Sequence, residues 1–288
     1  MNRQKTVIDP EHSGAGYWKD LWNYRGLFRF LAWRDLLVRY KQTVIGVAWA
    51  VIRPLLTIII FSFLASLINP KLGVGAATLI VTAASLPWAL FSSALTESSN
   101  SLIANSNLIT KIYFPRLIVP LSTVIVCLVD FAISLIILIG LMLYFHSSPE
   151  YQNLFQPLDY KVLFLPLFLL IALFASMGAG IFLASLNVKY RDFRYIVPFV
   201  IQLGLYVSPV AWTSDVIWKT DKISYGLKIL YCCNPMVGVI DGFRWCLLGI
   251  PIPENGISIQ ISCVVTLFLL ITGIAYFRKV EKNFADII

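Results

Sequence analysis

Six long apolar segments run through this 288-residue chain: Val44–Leu67, Leu79–Leu95, Ile118–Phe145, Val162–Leu186, Tyr195–Trp212 and Ile259–Phe277. Each is about as long as the roughly 20-residue helix that crosses a ~30 Å hydrocarbon core. Backbone facing lipid has no water to bond to, so it must be helical or part of a closed barrel. The pattern predicts an all-α integral membrane protein with six transmembrane helices. Composition agrees: 58% of residues are hydrophobic and 13% charged, and mean hydropathy is +0.78, more apolar side chain than a soluble domain buries. The longest stretches outside the segments, residues 1–42 and 213–258, are too short and too mixed to hold much of an independent core. The chain therefore divides into an N-terminal region, 1–42, and a six-span membrane domain, 43–288.

Basic residues set the topology. With the N-terminus inside, residues 1–42, 105–116, 187–194 and 278–288 carry sixteen Lys and Arg; the opposite face carries six, and Arg53 lies within the first span. This satisfies the positive-inside rule, and an even number of spans puts both termini in the cytoplasm. The net charge of +8 is thus mostly a topology signal, and the charges form no single groove of the kind that binds nucleic acid. Residues 1–42 have no short apolar run ending in small residues, so they do not read as a cleavable signal peptide.

Enzyme signatures are missing. There is no GxxxxGK[ST] phosphate loop and no HExxH, and His12 and His146 are the two histidines of the chain. Cys127 and Cys263 lie in spans, and adjacent Cys232 and Cys233 lack zinc-type spacing; with Cys246 they read as small buried side chains. A transporter or channel subunit, a membrane-bound transferase and a scaffold stay open on these grounds.

Polar residues in and between the spans carry the finer information. In Tyr24–Lys41, at about 100° per residue, Arg25, Arg29 and Arg39 fall on one arc and Phe30, Trp33, Leu37 and Tyr40 on another, as in a helix lying in the membrane surface. Arg34 and Lys41 interrupt the apolar side and must snorkel. Arg53-Pro54 breaks the first span; Arg53 either snorkels to the headgroups or lines a passage. Asp130 is the carboxylate deepest in a span, and Glu97 ends the second among Ser92, Ser93, Thr96, Ser98, Ser99 and Asn100; these groups need protein or water partners. The turn 105–116 holds a short amphipathic run, Leu108–Phe114, suited to docking in a partner's groove. Residues 213–258 form amphipathic blocks punctuated by Pro235, Gly249, Pro251 and Pro253, expected to be re-entrant or interfacial helices.

The run Arg34-Asp-Leu-Leu-Val-Arg-Tyr-Lys-Gln-Thr-Val-Ile-Gly-Val-Ala-Trp49 with Arg53-Pro54 resembles the permease subunit of ATP-binding-cassette polysaccharide exporters of type 2. So do Lys111-Ile-Tyr-Phe-Pro-Arg116, Leu186-Asn-Val-Lys-Tyr-Arg-Asp-Phe193, Ser208-Pro-Val and Asn234-Pro-Met. That family exports O-antigen, capsule and teichoic acid, and the resemblance covers about residues 20–285. It implies a homodimer in the bacterial cytoplasmic membrane with a channel at its interface, built largely from the first and fifth spans. Two copies of a separate cytosolic ATPase would bind ATP and Mg, with no cofactor in this chain. The substrate would be a polymer on undecaprenyl pyrophosphate or a comparable lipid. By the same resemblance, Arg25–Lys41 with Arg34 and Arg39 faces the ATPase, and Asn105–Phe114 is the coupling helix, with Leu108, Lys111, Tyr113 and Phe114 meeting it. Residues 213–250 are re-entrant helices at the exit. Arg53, Phe61, Tyr206, Trp212 and Trp218 are the expected channel residues, since aromatic rings offer a sliding sugar chain many weak, similar sites. A type 2 exporter of another lipid or small molecule, and a membrane glycosyltransferase or ligase, are the competing readings.

Overall fold

The computed structural model describes residues 16–41, 46–68, 73–147, 160–190 and 192–284, and among them the chain is helical with no strand. In chain order the helices are α1 (Gly16–Asn23), α2 (Arg25–Lys41), α3 (Gly46–Ile68), α4 (Gly73–Ala104), α5 (Ser106–Lys111) and α6 (Ile118–His146). They continue as α7 (Leu165–Lys189), α8 (Phe193–Val207), α9 (Asp215–Trp218), α10 (Tyr225–Cys232), α11 (Pro235–Leu248) and α12 (Ile257–Val280). Among the described residues four stretches are long and apolar enough to cross a membrane: Gly75–Ala104, Ile118–Phe145, Tyr160–Lys189 and Glu254–Val280. The apolar parts of α3 and α8, Pro54–Leu64 and Phe193–Val207, are shorter.

Two boundaries differ from the hydropathy reading. Helix α4 runs 32 residues, well past the apolar Leu79–Leu95. The hydroxyls of its polar end are satisfied within the helix by carbonyls three or four residues earlier: Ser93 by Ala89 at 2.8 Å, Thr96 by Ser92 at 2.7 Å and Ser101 by Ser98 at 2.7 Å. The fifth apolar segment, expected to reach Trp212, ends as a helix at Val207. Ser208 precedes Pro209 and is held extended, which stops the helix and leaves Trp212 in the connection that follows.

The bundle is centred on α4 and α7, which pack along each other, with α12 against α7 and α6 against α4. Apolar burial drives little association inside lipid, so close backbone approach and interhelical hydrogen bonds carry more of the specificity. At the α7–α12 crossing a Cβ on Gly273 would lie 2.2 Å from the Gly178 carbonyl oxygen, so only glycine fits. Asn187 of α7 donates to the Ser99 carbonyl of α4 at 2.8 Å. Helix α11 starts at Asn234, whose side chain accepts the Met236 N–H at 3.0 Å, and ends at Gly249, where φ is +68°. It is buried against α4, α7 and α12.

Helices α3 and α8 sit at the edge. Helix α3 leans on α4, and α8 touches α4 and α7 only lightly. Both leave rows of large apolar side chains exposed, among them Ile59, Ile60 and Phe63 on α3 and Phe199, Leu203 and Tyr206 on α8. A second core lies at the end of the bundle that carries α5, where Leu31, Leu102, Ile109, Phe114, Leu117, Ile181, Phe277 and Phe284 pack together.

Candidate functional site

Between α2, α3, α4 and α6 lies a cavity of about 980 Å³. Its lining combines apolar residues (Val38, Pro54, Leu86, Leu90, Phe131) with hydroxyls from Thr57, Ser92, Ser93, Thr123 and Ser134 and three carboxylates, Asp35, Glu97 and Asp130. Arg39 reaches into it from α2: its guanidinium lies 2.7 Å from Asp130 and 3.4 Å from Glu97. The Tyr40 hydroxyl donates to the same Asp130 carboxylate. Asp130 thus finds within the protein the partners that a carboxylate in a span requires. One turn earlier, Arg34 donates to Asp35 at 2.7 and 2.9 Å and to the Asn105 side-chain oxygen at 2.7 Å. Helix α2 is pinned by its arginines to α4, to α6 and to the start of the turn that carries α5.

Asp35 is paired with Arg34, and Asp130 and Glu97 share the Arg39 guanidinium, so among the described residues the lining has an excess of acceptors and of negative charge. Water and hydroxyl-rich groups suit it, and it opposes a phosphate or pyrophosphate. The arrangement corrects one expectation for Arg39: it does not share a free outer arc with Arg25 and Arg29 but is folded inward onto Asp130 and Glu97. Among the described residues no three His, Cys, Asp or Glu side chains converge as a metal-binding group.

The turn after α4 is the second candidate. Helix α5 presents Lys111 outward, followed by exposed Ile112 and by Tyr113, which is 62% exposed; Leu108 is half-buried. Phe114, expected to project beside Tyr113, is 4% exposed and belongs to the core with Ile109, Leu117 and Phe284, so its ring is not offered to a partner. The chain turns from extended at Ile112 into α6 through Pro115, with Tyr113 on the outside and Phe114 in the core.

The expected channel residues are not brought together within one chain. Phe61 is half-buried on α3 and Tyr206 is exposed on α8. Trp212 is half-buried beyond the end of α8. Trp218 is 8% exposed, edge-on to Tyr225 at 6.4 Å, and its carbonyl accepts from the Lys228 ammonium at 2.7 Å. Arg53 belongs to α3, and its side chain lies outside the described residues.

Sequence reasoning missed Arg244 and Asp241. Arg244, counted there as one of six basic residues of the outer face, is 1% exposed and donates to the carbonyls of Ile80 (3.2 Å), Trp212 (2.9 Å) and Val210 (3.1 Å). Asp241 accepts from Ser214 at 2.7 Å and from Ser258 at 3.3 Å. Their signal was the i,i+3 spacing of opposite charges inside an otherwise apolar block, which puts both on one helix face. Together they hold the segment that follows α8 against α4 and α12.

The family profile of ABC-2 type transporters matches residues 26–248. The chain is similar to two O-antigen export system permease proteins RfbA of Klebsiella pneumoniae. One is 29% identical over 259 residues, and the other 27% identical over 255. Each alignment covers 88% of this chain and 92% of the relative. It is also similar to RfbA of Myxococcus xanthus, 24% identical over 268 residues, covering 93% of this chain and 97% of that protein. An all-helical bundle with several membrane-length helices and a family match over three-quarters of its length leads to one assignment: the chain belongs to the ABC-2 type transporter family.

Proposed function

We propose that this chain is the membrane subunit of an ATP-driven exporter that moves a lipid-linked polysaccharide of O-antigen type outward across the bacterial cytoplasmic membrane. The observation that carries the reading is the near end-to-end similarity to three O-antigen export permeases, over 88 to 93% of the chain. In this reading α3, α4, α6, α7, α8 and α12 are the six spans, both termini are cytoplasmic, and α9 to α11 dip back into the outer half of the bundle. Two copies join through α3 and α8, whose apolar faces are exposed and whose contacts with their own protomer are the sparsest among the proposed spans. A pair of cytosolic ATPase subunits, binding ATP and Mg, pushes on α5 and Tyr113.

The polymer then runs between the two copies, past Phe61, Tyr206 and the Trp212 segment. The acceptor-rich cavity beside Arg39 is unsuited to the anionic lipid pyrophosphate, so the headgroup travels elsewhere, and Arg53 is the proposed cation for it. The test is a strain lacking this chain, complemented with the wild type or with Tyr113→Ala. Loss of surface polymer with lipid-linked polymer retained inside, restored by the wild type and not by Tyr113→Ala, is expected. Normal surface polymer in the strain lacking the chain refutes the function.

A further inference from the structure

The turn that carries α5 is anchored at both ends, and the rear anchor comes from the far end of the chain. At its front, Asn105 accepts from Arg34 of α2. At its rear, the backbone N–H of Arg116 donates to the Glu281 carboxylate at 2.8 Å, 165 residues away. The Arg116 guanidinium in turn donates to the Glu281 backbone carbonyl. Tyr17 of α1, a further 99 residues back from Arg116, donates its hydroxyl to the same Glu281 oxygen at 3.3 Å, and the Arg278 guanidinium lies over the Tyr17 ring at 4.7 Å. Phe284, fully buried, packs edge-on against Phe277 of α12 at 5.3 Å and lies under the Arg116 guanidinium at 5.9 Å.

A carboxylate buried in this way is costly unless its lone pairs are taken up, and here one is used on a main-chain N–H rather than on a free cation. That donor is the residue between Pro115 and the first turn of α6. Pro115 has no N–H of its own, so the Arg116 amide is the first main-chain donor between Phe114 and α6, and it is the one that ties the turn down from behind.

We propose that Glu281 is a positioning residue for transport: its carboxylate fixes the rear of the α5 turn to the end of α12, so that a push at Lys111 and Tyr113 moves α6 and α12 as one body. The proposal rests on the reading of that turn as the contact for the ATPase. Reach and acceptor capacity matter in it, while charge does not. Glu281→Gln keeps an acceptor oxygen at the same place, and Glu281→Asp keeps the charge but withdraws the oxygen by one methylene.

The experiment uses the permease with its ATPase in proteoliposomes containing lipid-linked polymer, reading ATP turnover and polymer export together. Coupling free energies correspond to about 5- to 150-fold effects. Export per ATP is therefore expected to fall roughly 10-fold or more in Glu281→Ala and Glu281→Asp, with ATP turnover within about 2-fold of the wild type, and to stay near wild type in Glu281→Gln. A merely structural role lowers ATP turnover and export together and leaves their ratio unchanged, which overturns the proposal. So does a Glu281→Gln protein as uncoupled as Glu281→Ala. Tyr113→Ala is measured alongside. If it too leaves the ratio unchanged, the coupling-turn reading has failed; if it lowers the ratio while Glu281→Ala and Glu281→Asp do not, only the Glu281 proposal has failed.

Discussion

Replacing Arg39 by Ala tests the link between α2 and the bundle. Its guanidinium lies 2.7 Å from Asp130 and 3.4 Å from Glu97, with the Arg39 and Asp130 side chains 30% and 23% exposed. An exposed ion pair is worth about 0.2–1 kcal/mol, whereas removing one partner of a fully buried pair costs about 3–5 kcal/mol because the other charge is stranded. At roughly a quarter exposed and beside a cavity that admits water, an intermediate cost of about 2 kcal/mol is expected for Arg39→Ala. Asp130→Asn should cost less, because Arg39 keeps Glu97, and the Asn side-chain oxygen still accepts from Tyr40. The double variant Arg39→Ala/Asp130→Asn should recover about 1 kcal/mol relative to the sum of the single changes, since neither charge is then stranded. Unfolding of the purified protein in detergent, followed by circular dichroism against denaturant, gives the four corners of the cycle. Single changes below about 0.5 kcal/mol, or strict additivity within about 0.3–0.5 kcal/mol, would refute the latch.

Arg244→Ala strands three carbonyls at once and should cost at least about 3 kcal/mol in the same unfolding assay; Arg244→Lys should rescue little, because an ammonium lacks the planar fork that reaches three acceptors. Gly273→Ala places a Cβ 2.2 Å from the Gly178 carbonyl oxygen and should destabilise by about 1–3 kcal/mol, more than Gly140→Ala, where nothing lies within 4 Å. Burial raises the Glu281 carboxyl above its ordinary 4.5, so the folded state holds the proton more tightly than the unfolded one. That contribution is fully present below about pH 4.5 and is lost as pH rises through the folded value. Unfolding curves taken across pH 4 to 8 should therefore show wild type losing stability relative to Glu281→Gln as pH increases, and parallel curves would refute it.

The all-helical membrane class was legible because apolar length alone decides it, and Asp130 could be picked out because a carboxylate in a span demands a partner. Its partner could not be named: Arg39 sits 91 residues earlier on a helix whose amphipathic pattern argued for an outward arc. Hydropathy averaged over a window missed that Ser92–Ser101 continue a helix, since each hydroxyl satisfied by a carbonyl of the preceding turn no longer needs water. The end of α8 was signalled by Ser208-Pro209, but the apolar residues that follow outweighed it. Phe114 and Tyr113 look alike as neighbouring aromatics, and only the long-range packing of Phe114 on Phe284 and Leu117 tells which one turns inward. Glu281 carried no signal, because its partner is a main-chain N–H.

Taken together, these contacts divide the molecule into a rigid part and a loose one. Arg39 and Arg34 tie α2 to α4 and α6, Glu281 ties the α5 turn to α12, the glycine crossing locks α12 to α7, and Arg244 holds the segment after α8. The helices with few such ties are α3 and α8, whose wide apolar faces are left exposed among the described residues. Elements with little buried contact open and shift at the lowest free energy. If the ATPase pushes at Tyr113 as proposed, these stiff contacts carry the push to α6 and α12, and it is relieved at α3 and α8, the two helices proposed to border the polymer.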